Sequence, residues 1–473
     1  MKKTVKSILS MLLILIFVFC AAACGGKENA SDANDDFFAD SENVISGGNQ
    51  NDTVSDSTAS NNVDNSKPNS NTDKNTVGGK TWEQVLASIP KNLRGTTIDF
   101  YNWNPPSEYT GSSTVMKNFE KETGIKVNWI TQDYNTYQTR LASMVAADKA
   151  PDFARTNKPI VTAMQSFQPL SATKFDFTDG AWDQTVMKDY SINGKAYATS
   201  LNNTHLGSMS VLFYNKALID NYDFEDPYKL WKNGKWTWEK FLSMSKKFKE
   251  EANTKYGAGS WEWSGLSQVF GIGGPYEYDG KKYRSVINDS DFISVTQEIA
   301  DLYNTDSLIQ DWGAESFDRG ELLFWSGFSI HGRRLNSYFS NLKNAGTLYA
   351  VPLPSVEGQK TYYQGRNEYE AYALVKGAKN PEAVPYFLRY FLDPDNYDLD
   401  AFYPNAQMEE VYNWCMSQPT KIWTVDYWDK FNPSNFDGIK LIKGNQVKSF
   451  VDSNGIQIEN RVNNLNSALE KFK

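Results

Sequence analysis

What most constrains the fold of this chain is a hydrophobic period that switches repeatedly between two and about 3.6 residues from Thr97 onward. "TIDFYNW" alternates at Ile98 and Phe100, which predicts a strand running into a polar and aromatic loop at Trp103 to Ser107. "SSTVMKNFEKETG" follows with a serine cap, Val115, Met116 and Phe119 at helical spacing, and Gly124 to stop it. "IKVNWI" alternates again, and "YQTRLASMVAAD" returns to helical spacing at Tyr137, Leu141, Met144 and Val145 before Pro151-Asp152 breaks it. Strands alternating with helices predict an α/β fold with a mainly parallel sheet covered on both faces. Ligands bind such sheets in the crevice beyond the carboxyl ends of the strands.

The same grammar recurs downstream. Trp238, Phe241, Leu242 and Phe248 share a helical face behind the cap Thr237, as do Phe292, Val295, Ile299 and Leu302 in "DSDFISVTQEIADLY". "NPEAVPYFLRYFL" reads as a helix with Asn380 as cap, Pro381 at its first position and Val384, Phe387, Leu388, Phe391 and Leu392 on one face. Pro385 sits awkwardly inside it. No internal repeat is present. Beyond about Thr81 roughly 390 residues remain, enough for two domains each with its own core.

Several stretches, taken in order, resemble the extracellular solute-binding protein family whose best-known members bind maltose and other sugars for ABC importers. They are "VMKNFEKETGIKV", "LASMVAADKAPDF", "NGKAYATSL" with "LFYNKALI", "WTWEKF", "FGIGGPYEYDGKKY", "FDRGELLFWSGF", "YAVPLPSVEG" and "GAKNPEAVPYFLRYFL". The likeness covers about residues 95 to 395 and is loose beyond Asp395. It implies a two-lobed, periplasmic-binding-protein-like (type II) fold, with hinge crossings and a cleft that closes on the ligand. The expected division is lobe 1 over 81–204, lobe 2 over 205–351, a return to lobe 1 over 352–400 and C-terminal helices over 401–473, mostly on lobe 2. The outward crossing is expected near Asn203 to Ser208 and the return near Pro352 to Tyr362.

A sugar offers hydroxyls at its rim and weakly polar C–H faces, so its site combines flat aromatic rings with planar amides, carboxylates and guanidinium groups. Trp103, in the loop "YNWNPP" after the first strand, is a candidate platform, against a reading as a lid over the strand end. Trp263 in "SWEWSG" stands where maltose-type relatives place a stacking aromatic, against ordinary core packing. Asn203 and His205 lie at the first crossing, where a solvated hinge turn is the alternative. Phe328 or its neighbour, with His331 close by, aligns with a family aromatic, although the expected Trp after the glycine is missing and Trp325 can serve the core instead. Arg366, Asn367 and Tyr369 in "QGRNEYEAY" fall at a loop the family uses for ligand contact, with a surface ion pair as the alternative for the arginine.

The N-terminus sets the location. Lys2, Lys3 and Lys6 precede an apolar run from Ile8 to Cys20, shorter than the roughly 20 residues needed to span a bilayer, and then Ala21-Ala22-Ala23 leads to Cys24. The pattern resembles the lipobox of bacterial lipoproteins, with Ala21 where the pattern prefers Leu, and it implies lipid attachment at Cys24 and removal of residues 1–23. A plain signal peptide cleaved after the alanines is the alternative. Residues 24–80 are mostly Asn, Asp, Ser, Thr and Gly, a composition that predicts a disordered tether. The expected place is the extracellular face of the cytoplasmic membrane, of the Gram-positive type, with the lipid as the only membrane contact.

Composition narrows the function. Net charge is −9; losing the N-terminal segment removes three lysines and no acid, leaving 45 basic and 57 acidic residues and −12. Without a basic stripe, nucleic acid is not an expected partner. Once Cys20 is removed, only Cys24 and Cys415 remain, and no internal disulfide is expected beside a lipidated Cys24. His205 and His331 are the only histidines, which supplies metal clusters and catalytic triads poorly, so no metal and no cofactor is expected. A lipid-anchored glycoside hydrolase would need an opposed carboxylate pair that no spacing singles out, and "GFSIHG" lacks the second glycine of the nucleophile elbow. The expectation is a monomeric, non-enzymatic carbohydrate-binding protein serving ABC permease subunits. Another solute such as a peptide or polyol, or a sensor subunit, is the alternative.

Overall fold

The computed structural model of the protein describes residues 78–109, 111–157, 161–202, 204, 208–260, 266–303, 309–333, 337–368, 371–397, 402–421 and 447–472. Chain contacts divide the protein into two units, Met1–Asn71 and Thr72–Lys473, and the described residues all belong to the second.

Alternation in β1 (Thr97–Asn102) sends its side chains into two cores. On one face Phe100 stacks on Phe153 at 4.4 Å and meets Phe387 and Phe391. On the other Tyr101 packs against Tyr137 at 4.5 Å. The strands that follow are β2 (Lys126–Thr131), β3 (Phe153–Thr156), β4 (Ser191–Ile192), β5 (Lys195–Ala196), β6 (Ala198–Thr199), β7 (Ser208–Asn215), β8 (Ala258–Ser260), β9 (Tyr276–Tyr278), β10 (Tyr283–Ser285), β11 (Ile309–Asp311), β12 (Phe324–Phe328), β13 (Leu348–Pro352), β14 (Arg366–Glu368) and β15 (Ala371–Leu374). They build a first sheet of order β2-β1-β3-β15-β6 and a second of order β11-β8-β12-β7-β13, with β14 added beside β7. The strands β4 and β5, and β9 and β10, form two small hairpins.

Helices cover the sheets where the spacing predicts them. Ser112–Thr123 buries Val115 and Phe119 and ends at Gly124, whose φ of 74° suits glycine. Its N-cap is Gly111 rather than a serine, because the Ser112 hydroxyl turns back to donate to the Pro106 carbonyl. Trp238–Glu251 starts at Thr237, whose hydroxyl accepts the Lys240 N–H. Pro385 is accommodated because a short 3₁₀ turn, Pro381–Ala383, precedes a new helix at Val384, leaving the proline in a first turn that needs no N–H. Asn380 does not cap that turn with its side chain, which instead donates to the Thr97 carbonyl of β1. The last helix, Val447–Leu469, lies on β10, where the Asn466 amide accepts the Tyr283 N–H at 2.8 Å and donates to the Tyr283 carbonyl at 3.0 Å.

The pairing places the crossings between the sheets. The chain leaves the first sheet after β6 and enters the second at β7. It returns between Glu368, opposite Ser208, and Ala371, opposite Thr156. This is later than the expected Pro352–Tyr362. Ser210 donates its N–H to the Gly365 carbonyl at 2.8 Å, and the buried Gln364 amide donates to the Ser210 carbonyl at 2.8 Å, which holds this stretch against β7. A further passage joins helix Val384–Phe391, packed over the first sheet, to helix Ala406–Ser417, packed on β13.

The parallel strands β1, β2 and β3 end beside the start of β15, and β8, β11 and β12 end beside the start of β7. The carboxyl edges of both sheets therefore lie at the crossings, where an α/β sheet binds ligands.

Candidate ligand cleft

At the first edge the chain turns after β1 because Asn102, fully buried, uses both ends of its amide. Its Oδ1 accepts the Asn104 N–H at 3.1 Å and its Nδ2 donates to the Tyr109 hydroxyl at 3.1 Å. The Asn104 carbonyl accepts the Trp129 indole N–H at 2.9 Å, fixing the loop to β2. Between these ties stands Trp103, partly buried. The Arg155 guanidinium of β3 lies 4.3 Å from its ring centre, and Tyr134 and Tyr137 meet it at 81° and 85°. Tyr137 is locked by its hydroxyl, 2.9 Å from the Tyr101 carbonyl and 2.8 Å from that of Arg155. Burial pushes this phenol well above the ordinary tyrosine value, so it stays a neutral donor. Past β3, Asn157 donates to the Tyr134 hydroxyl at 3.1 Å. The edge thus gathers the Trp103 indole, the Tyr109, Tyr134 and Tyr137 phenols and the Asn102 and Asn157 amides around one loop.

At the second edge, Trp312 follows β11 in the left-handed region, φ 62°, a conformation rare for so large a side chain. Its N–H donates to the Ser260 carbonyl at the end of β8, its indole to the Glu315 carboxylate at 2.8 Å, and its carbonyl accepts the Trp325 indole N–H at 2.6 Å. At the end of β12 the Phe328 N–H donates to Nδ1 of His331 at 3.1 Å, and the Ser329 hydroxyl accepts the Met209 N–H, binding the start of β7 to the end of β12. Burial, aided by the nearby Lys343 charge, pushes the His331 imidazole down to about 3, so it is neutral and holds a turn.

Of the residues the sequence singles out, Trp103 stands at the carboxyl edge of the first sheet and Phe328 at that of the second. Trp103 is partly exposed; Phe328 is 5% exposed, its ring 5.7 Å from His331, which leaves little of it for a ligand in this conformation. Arg366 and Asn367 lie on β14, with Arg366 opposite Met209 of β7. Asn203, His205, Trp263 and Tyr369 lie outside the described residues, as does Cys24. Sequence reasoning passed over Arg155 and Trp312. The former follows an apolar pair inside "DFART" with no polar period to mark it, but its place one residue before the end of a strand is a usable signal. Among the described residues no group of three or more His, Cys, Asp or Glu could hold a metal ion.

The chain belongs to the family of bacterial extracellular solute-binding proteins, whose family model matches residues 114–400. No curated protein matches it in sequence. Solved structures that share the fold include three in complex with a ligand. The galacto-N-biose-/lacto-N-biose I-binding protein of the ABC transporter from Bifidobacterium longum, in complex with lacto-N-biose, has a TM-score of 0.59 at 15% identity over 79% of this chain and 99% of that one. An ABC substrate-binding protein from Listeria monocytogenes, in complex with cycloalternan, gives 0.51 at 16% over 80% and 96%. The GacH receptor of Streptomyces glaucescens, solved without ligand and with acarbose, gives 0.53 at 15% over 80% and 99%. The protein is thus a two-lobed α/β solute-binding protein of an extracytoplasmic family. Among the described residues no helix is long and apolar enough to cross a membrane.

Proposed function

We propose that this protein captures a mono- or oligosaccharide between the two carboxyl edges and delivers it, unaltered, to an ABC importer. The observation that carries the reading is the Trp103 platform, a partly exposed indole at the end of the first sheet, with Tyr134 edge-on to it and the Asn157 amide on the Tyr134 hydroxyl. A flat ring beside amide and phenol groups matches the C–H faces and hydroxyls of a sugar. The three related structures each come with a carbohydrate-type ligand in their descriptions, which supports the same class.

The lobes divide at the crossings. The first holds β1 to β6 and β15, the second β7 to β14 with the last helix. Closure at the two crossings between the sheets brings Trp103 toward the second edge, and the sugar binds the closed form better. Asn203, His205, Trp263, Phe328, Arg366, Asn367 and Tyr369 are the further contacts proposed. A lipid on Cys24 and the polar segment after it hold the monomeric protein near its permease at high effective concentration.

The test is a thermal-shift screen of the full chain against lacto-N-biose, cycloalternan, acarbose and maltotriose. A concentration-dependent rise in melting temperature with at least one sugar is expected; peptides and polyols raising it while no sugar does would refute the class.

A further inference from the structure

The geometry points to Arg155 as a positioning residue for ligand capture: a buried cation whose task is to hold the Trp103 ring as a rigid platform. This rests on the carbohydrate reading of the cleft. Arg155 is 3% exposed and lies one residue before the end of β3, opposite Tyr372. Its guanidinium stands 4.3 Å from the Trp103 ring centre and 5.9 Å from that of Tyr109, so it bridges two aromatic rings. Tyr109 is itself fixed by the Asn102 amide, and its ring lies 5.3 Å from Trp129, so the bridge ends on the body of the first sheet.

Trp103 is thereby engaged from three sides, by a cation over the ring and by Tyr134 and Tyr137 approaching edge-on. A planar guanidinium stacks on an indole and draws strength from the ring quadrupole, an attraction that grows when water is excluded. An exposed tryptophan without such support must give up rotamer freedom when a sugar lands on it, and that loss subtracts from affinity. A ring already held loses nothing. Arg155 acts on the sugar through Trp103, which separates it from the contact residues proposed above.

Two readouts on the full chain test this. The first needs no sugar: the order parameter of the Trp103 indole N–H, assigned by its absence in Trp103→Phe, is expected to fall in Arg155→Met and to recover in part in Arg155→Lys. An unchanged order parameter in both variants overturns the inference whatever the protein binds. The second is a double-mutant cycle by calorimetry with whichever of lacto-N-biose, cycloalternan, acarbose and maltotriose binds the wild type. Arg155→Met is expected to weaken binding roughly two- to tenfold, and to have almost no further effect once Trp103 is Ala. An equal loss in both backgrounds marks a structural role and overturns the inference while leaving the carbohydrate reading intact. If none of the four sugars binds but the order parameter falls as expected, the carbohydrate reading fails and the ring-holding role stands. Should Arg155→Met not fold, Arg155→Lys carries both readouts, since a point charge replaces the stacked plane.

Discussion

His331 should make the protein lose stability on mild acidification in a way that can be isolated. Its imidazole is 6% exposed, accepts the Phe328 N–H at Nδ1, and lies 4.7 Å from the Tyr338 ring and 5.3 Å from that of Trp325. Burial holds its folded value at about 3, against about 6.5 in an unfolded chain. Because the folded value is the lower one, protons favour the unfolded chain. The contribution is fully present above about pH 6.5 and declines as pH falls toward 3. Each unit below 6.5 is about 1.4 kcal/mol, so some 2 kcal/mol is lost between pH 7 and pH 5. Urea unfolding of the wild type and His331→Asn at both pH values measures it, since an asparagine oxygen can accept the same N–H but does not titrate. The wild type is expected to lose about 2 kcal/mol more than the variant over that interval. With only two histidines in the chain, proton NMR assigns the titration directly. Parallel pH profiles for the two proteins, or an imidazole at position 331 titrating near its ordinary value, would refute the reasoning.

Other perturbations follow from buried charge and close approach. Asp393 pairs with Arg389 where the two side chains are 9% and 5% exposed, so Asp393→Ala strands a buried cation and should cost about 3–5 kcal/mol in denaturant unfolding; a loss below about 1 kcal/mol would mean solvent reaches the pair. Gly257 sits where helix Trp238–Glu251 approaches β8, and a Cβ there would stand 2.1 Å from the Ser245 carbonyl oxygen. Gly257→Ala should therefore destabilise by about 1–3 kcal/mol or more, and an unchanged unfolding midpoint would contradict that packing.

Much of the fold is legible because local signals agree with the tertiary result. The alternation of Ile98 and Phe100, the stop at Gly124, the cap at Thr237 and the apolar face of Phe387 and Phe391 each survive packing, as consistent sequences do. What fails does so where a distant partner decides. Ser112 and Asn380 satisfy loop and strand carbonyls instead of capping, which no local rule reveals. The return crossing runs past Tyr362 because Gln364 finds its acceptor on Ser210, far away in sequence. At the candidate site, Trp103 is legible from its loop, whereas the role of Arg155 depends on two rings that only the fold brings to β3. Trp312 carries no sequence mark for its left-handed backbone, in which its carbonyl accepts the Trp325 indole N–H.

Calorimetric titration of the full chain with lacto-N-biose, cycloalternan, acarbose and maltotriose, followed by chromatography of the recovered sugar, is the most direct test of capture without chemistry at the Trp103 edge. At least one sugar should bind saturably, weaken about tenfold or more in Trp103→Ala, and come back unchanged. No binding by any of the four, binding indifferent to Trp103, or cleaved sugar in the recovered pool would contradict it.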